Sequence, residues 1–67
     1  MNNKENTAAL EAVLFASGEP ISIDRLCGVF DVSPEKIVEL ANALSDELGK
    51  RNSAITVLRL ENSYQLA

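Results

Sequence analysis

Residues 31–44 read DVSPEKIVELANAL, Asp31 to Leu44. Ser33 offers a side-chain oxygen to the free N–H groups of a helix start. Pro34 suits the first helical position, where its missing N–H would have no partner anyway, and Glu35 suits the positive end of the helix dipole. Behind this start Ile37, Leu40, Ala41, Leu44 and Leu48 recur at helical spacing. The pattern predicts a helix with one apolar stripe, running to about Leu48 and ended by Gly49.

Upstream, Ile23, Leu26, Cys27 and Phe30 fall at i, i+3, i+4 and i+7 and predict a helix over about 23–30. Ser22 can cap it, with Asp24 in its first turn. Only Asp31 and Val32 separate the two helices, a connection short enough for a helix-turn-helix. A further helix is predicted from Glu5 or Asn6 to Ser17, with Leu10, Val13, Leu14 and Ser17 on one face. Gly18 can take the left-handed C′ conformation that ends it. Pro20 then blocks continuation and makes Glu19 extended. Ile21 to Ile23 is short and β-branched, enough for one small bridge to a sheet.

Downstream, Ile55–Leu60 reads as a strand, Glu61-Asn62-Ser63 as a turn and Tyr64–Ala67 as a returning strand. Helix, extended piece, helix, tight turn, helix and β-hairpin is the order of a winged helix. The expected fold is therefore mainly α with a small β-hairpin, three helices plus a wing, in a single domain spanning 1–67. The chain stops at Ala67 in mid-strand with no terminating signal, which reads as a fragment of a longer protein.

A chain of 67 residues has room for one small domain. Such a domain buries only about 60% of the surface its unfolded chain exposes, so a staple or a partner is expected. Cys27 is the single cysteine and there is no histidine, so neither an intrachain disulfide nor a zinc site is available. Without histidine the usual neutral-pH general base is missing too. Cys27 lies on a core stripe, the glycines are far apart and the carboxylates do not converge. No enzyme activity, cofactor or metal is expected. The run AALEAVLFA, residues 8–16, is interrupted by Glu11 and preceded by Lys4 balanced by Glu5, unlike a secretory signal. No stretch approaches the roughly 18 apolar residues of a membrane span. A reduced, cytoplasmic protein fits the lone cysteine.

In a DNA reader the third helix would enter the major groove with Arg, Lys, Asn or Gln outward. Here its outward face holds Glu35, Lys36, Glu39, Asn42, Ala43, Asp46 and Glu47, four carboxylates against one lysine. The whole chain carries a formal net charge of −4. Phosphate would be repelled, so direct groove reading is not expected, and a winged-helix DNA-binding transcriptional regulator is the alternative. The carboxylates are either a solvated face or an acidic patch for a basic partner.

Two surfaces carry more apolar residues than one core needs. On the first helix Ala8, Ala12 and Phe15 lie on the side away from Leu10 and Leu14. That side is either wrapped by the rest of the domain or a contact patch for a second subunit. On the wing, Val57 and Arg59 share one strand face and Thr56, Leu58 and Leu60 the other, so both faces are partly apolar. Ala8, Ala12, Phe15, Val57 and Arg59 are the candidate residues of a dimer or partner interface.

The ordered set ALEAVLFASGEPISIDRL, VSPEKIVELANAL and a hairpin ending in SYQLA resembles the N-terminal part of the segregation and condensation protein B (ScpB) family. LFASGEPIS, Leu14 to Ser22, together with Leu26 is the most specific piece. One departure is visible: the wing turns through Glu61-Asn62-Ser63, where the family often has glycine before its tyrosine. The resemblance implies a non-catalytic accessory subunit of the bacterial SMC condensin complex. It implies a homodimer of chains with two tandem winged-helix domains, of which this is the N-terminal one. It implies binding to the kleisin ScpA, through it to SMC, and a nucleoid-associated role in chromosome condensation and segregation.

Overall fold

The computed structural model describes residues 3–67. The elements follow in the order α1 (Asn3–Ser17), β1 (Ile21–Ser22), α2 (Ile23–Phe30), α3 (Pro34–Lys50), β2 (Val57–Leu60) and β3 (Ser63–Leu66). The strands form one antiparallel sheet in the order β1-β3-β2. Helices α2 and α3 form the helix-turn-helix, and β2 with β3 forms the wing, the architecture expected from the sequence. Among the described residues no helix is long and apolar enough to cross a membrane.

The capping chemistry is as local as the sequence implied. Ser22 accepts a hydrogen bond from the Arg25 N–H at 3.1 Å, and Ser33 accepts one from the Lys36 N–H at 3.3 Å. Gly18 has φ 66° and donates to the Leu14 carbonyl, closing α1. Asp31 closes α2 with φ 56°, and both its N–H and that of Val32 reach the Cys27 carbonyl. A short polar side chain tolerates this left-handed geometry.

The end of α3 differs from expectation. Gly49 stays inside the helix, which runs on to Lys50. The left-handed residue is Asn52, at φ 53°. Its N–H donates to the Gly49 carbonyl, and the Ser53 N–H donates to the Leu48 carbonyl, both near 3.0 Å. This pair of bonds is a Schellman closure, for which asparagine is an acceptable substitute for glycine.

The core is made by Leu10 and Leu14 of α1, Ile23 and Leu26 of α2, five residues of α3 and Tyr64 of β3. The five from α3 are Ile37, Leu40, Ala41, Leu44 and Leu48, the stripe read from the sequence. Val13, Cys27, Phe30, Val32, Val57 and Leu66 pack at its margin. Thr7 also lies at the buried boundary, one turn before Leu10 and outside the apolar pattern.

The wing is tied to the helices. Ile21 and Ser22 pair with Tyr64 and Ser63. The Ile23 N–H, one of the free donors at the start of α2, reaches the Asn62 carbonyl in the wing turn at 2.6 Å. Leu60 faces Ser63, so Glu61 and Asn62 alone make the turn. Glu61 has φ 47° at the first central position, where tight hairpin turns favour Gly, Asn or Asp.

Two stability outcomes follow. Glu61→Gly is expected to stabilise the domain by up to ~1 kcal/mol by relieving the left-handed strain of a residue with a Cβ. Ser33→Ala is expected to cost ~1 kcal/mol through loss of the α3 cap. Urea midpoints at constant m-value check both: a lower midpoint for the glycine variant, or no loss for the alanine variant, contradicts the corresponding account.

Candidate protein-interaction surfaces

Residues 8, 12 and 15 recur at i, i+4 and i+7 on α1, a stripe turned away from Leu10 and Leu14. All three are exposed, and Phe15 keeps 69% of its surface accessible. The alternative in which the rest of the domain wraps this side of α1 is thereby overturned for Phe15. The sheet is too small to reach around the helix, because its inner face is used to close the core with Tyr64.

Phe15 lines a shallow depression with Leu14, Gly18, Ile55, Leu66 and Ala67, where the end of α1 meets the base of the wing. Ile55 is itself exposed. Its sequence pattern places it in a strand, but β2 begins only at Val57. Thr56 still exchanges two backbone hydrogen bonds with Ala67, each 2.9 Å. Ile55 lies one residue before that pair, its N–H held by the Ser53 hydroxyl at 3.1 Å. The signal that could have found it is its place in an apolar run just ahead of the pairing.

Ala8 opens onto a different depression, between α1 and the C-terminal half of α3, lined also by Lys4, Thr7, Glu11, Ala43, Glu47 and Arg51. Its rim is charged, and Arg51 bridges to Glu11 at 3.0 Å. With both groups partly exposed, this bond contributes at most ~1 kcal/mol, but it fastens the end of α3 to the middle of α1.

The two wing candidates have separate environments. Val57 is half-buried and packs against the core. Arg59 stands opposite Tyr64 across the ladder, with its guanidinium carbon 5.9 Å from the ring centroid. At an exposed site such a cation–π contact contributes ~0.5–1 kcal/mol. Arg59 also borders a cleft with Asp24, Glu35 and Asn62, among others. The five candidates therefore do not form one continuous surface. The opposite wing face presents Leu58 and Leu60, both exposed, and α2 presents Val29 at 59% exposure.

The outward face of α3 is as acidic as its sequence. Glu35, Glu39, Asp46 and Glu47 are exposed. Lys36, the one cation among them, lies 3.6 Å from Glu39 in an ion pair. A helix presenting this face to a phosphate backbone would be repelled. Among the described residues, no group of three or more His, Cys, Asp or Glu side chains is placed to hold a metal ion.

Comparison with known proteins agrees with this geometry. The profile of the family described as segregation and condensation complex subunit ScpB matches residues 8–67. A segregation and condensation protein B from Clostridioides difficile (strain 630) is 35% identical, aligning 98% of this chain with 38% of its own length. One from Alkaliphilus oremlandii is 30% identical over the whole chain and 36% of its own length. The chain thus spans less than half the length of these relatives. A crystal structure described as a dimer of the ScpB N-terminal domain complexed with ScpA peptide superposes with a TM-score of 0.86 at 26% identity, covering 96% of this chain and 80% of that one. ScpB from Mycobacterium tuberculosis shares the fold, with a TM-score of 0.86 at 21% identity over all of this chain and 42% of its own. With a profile match across nearly its entire length and relatives at 30% identity or more, this chain belongs to the ScpB family.

Proposed function

We propose that the chain is the N-terminal winged-helix domain of a non-catalytic accessory subunit of a bacterial SMC condensin complex. It acts in chromosome condensation and segregation by pairing with a second copy and by binding the kleisin ScpA, which connects it to SMC. A second winged-helix domain belongs to the same subunit, and the complex works at the nucleoid in the cytoplasm. The family match over residues 8–67 carries this reading. The related N-terminal domain described as a dimer with ScpA peptide supports both partners. The exposed α1 stripe of Ala8, Ala12 and Phe15 is a contact surface for one of them, since a largely exposed phenylalanine beside small residues gives another helix close access.

The transcription-regulator alternative needs a phosphate-compatible third helix, and the acidic face of α3 opposes it. Titration of duplex DNA across salt concentration is expected to show no specific binding. A steep fall of affinity with rising salt would instead restore that alternative.

Capture of the full-length subunit by immobilised ScpA from the same organism tests the assignment directly, and absence of capture removes it. Phe15→Glu is expected to weaken ScpA capture or self-association by tenfold or more, because burying a phenylalanine on binding is worth ~2 kcal/mol or so. Its folding stability should shift by only ~0.5 kcal/mol, as for other surface substitutions. If the folded variant keeps both associations, α1 is not the contact surface.

A further inference from the structure

The wing strand β2 lies at the free edge of the sheet, with β3 on one side only. Thr56 and Ala67 exchange both backbone bonds, so they form a hydrogen-bonded pair. Such pairs alternate along an antiparallel ladder, and the register makes Leu58–Gln65 and Leu60–Ser63 the next two. The N–H and C=O groups of Val57 and Arg59 therefore point away from β3, toward the open side. Among the described residues, no backbone bond from outside the sheet reaches either.

Free edges are ordinarily blunted by lysine, proline or a bulge. The run Thr56–Leu60 has none of these. Its one charge, Arg59, leans over the Tyr64 ring. On the outer face Leu58 and Leu60 are 40% and 45% exposed.

Resting on the self-association proposed above, we infer that β2 pairs edge to edge with β2 of a second copy, in antiparallel register about a two-fold axis at Leu58. Charge favours a copy meeting here. Two chains of net charge −4 would oppose their carboxylates if they met through the outward face of α3, whereas Thr56–Leu60 contains no carboxylate. The register follows from the side chains. An axis at Leu58 pairs the run 56–60 with itself along its full length. Val57 of each copy then faces Arg59 of the other and exchanges both outward bonds. Leu58 faces Leu58 of the second copy in a pair without backbone bonds, the geometry that brings side chains closest. An axis at Arg59 would set guanidinium against guanidinium. An axis at Val57 would carry the pairing into Ala54 and Ile55, upstream of Thr56, where the ladder bonds to β3 end. The outcome is a continuous six-stranded sheet, with the Leu58 and Leu60 side chains covering one another on its outer face.

Cysteine cross-linking reads this register. In a Cys27→Ala background, Leu58→Cys and Leu60→Cys variants are oxidised with copper phenanthroline and dioxygen. At position 58 the Cβ atoms would be ~5 Å apart, within disulfide reach. At position 60 the two sites would be separated by four residues, or about 13 Å along the strand. A disulfide dimer forming at least tenfold faster at 58 than at 60 is expected, and Leu58→Lys, folded by circular dichroism, is expected to be monomeric by light scattering where the parent is dimeric. A dimer that cross-links no faster at 58 than at 60 overturns the seam and leaves the proposed self-association standing. A parent chain that is monomeric at high concentration overturns the seam too, and ScpA capture then decides the functional reading on its own.

Discussion

Ile37, Leu40, Ala41, Leu44 and Leu48 give α3 one continuous buried stripe, against which α1 and α2 pack while the wing closes the remaining side through Tyr64. Among the described residues, half of the ten buried apolar side chains come from this single helix. The consequence for function is geometric. A helix that spends one face on the core has only the opposite face for a ligand, and here that face is acidic. The element that would enter the major groove in a DNA reader is here a helix anchored by its core stripe and acidic on its outward face.

A chain of 67 residues has too little interior for all its apolar side chains. Phe15, Val29, Ile55, Leu58 and Leu60 are left exposed, distributed over α1, α2 and the wing. Scattered singly they would be ordinary. Phe15 and Ile55, however, share one depression, and Leu58 and Leu60 share one strand face beside a free edge. Surfaces of this kind suit contacts with other protein chains. The buried side chains, by contrast, leave no unsatisfied polar atom among the described residues.

Most of the fold was legible because its signals are local. Ser22, Ser33 and Pro34 mark helix starts by backbone chemistry, and the α3 stripe is fixed by its 3.6-residue period. Where local signals compete, the nearest one does not always prevail. Gly49 was a plausible stop, but three residues later Asn52 took the left-handed position and the helix ran through the glycine. The surfaces were less legible, for a physical reason. Sequence periodicity separates two sides of a helix but does not say which tertiary neighbour covers each. The fate of Phe15 depended on how far the sheet reaches, and that of Val57 on the margin of the core. Neither is encoded within a few residues of the position concerned.

Tyr64 has a bearing beyond packing. It is the only tyrosine in a chain without tryptophan, and it sits where the wing, Arg59 and the helical core meet. The domain's strongest intrinsic fluorophore therefore sits at this joint, its two phenylalanines emitting far more weakly. Its emission reports, without any label, on the packing of the wing against the helical core, on the strand next to the edge where a second copy is proposed to pair.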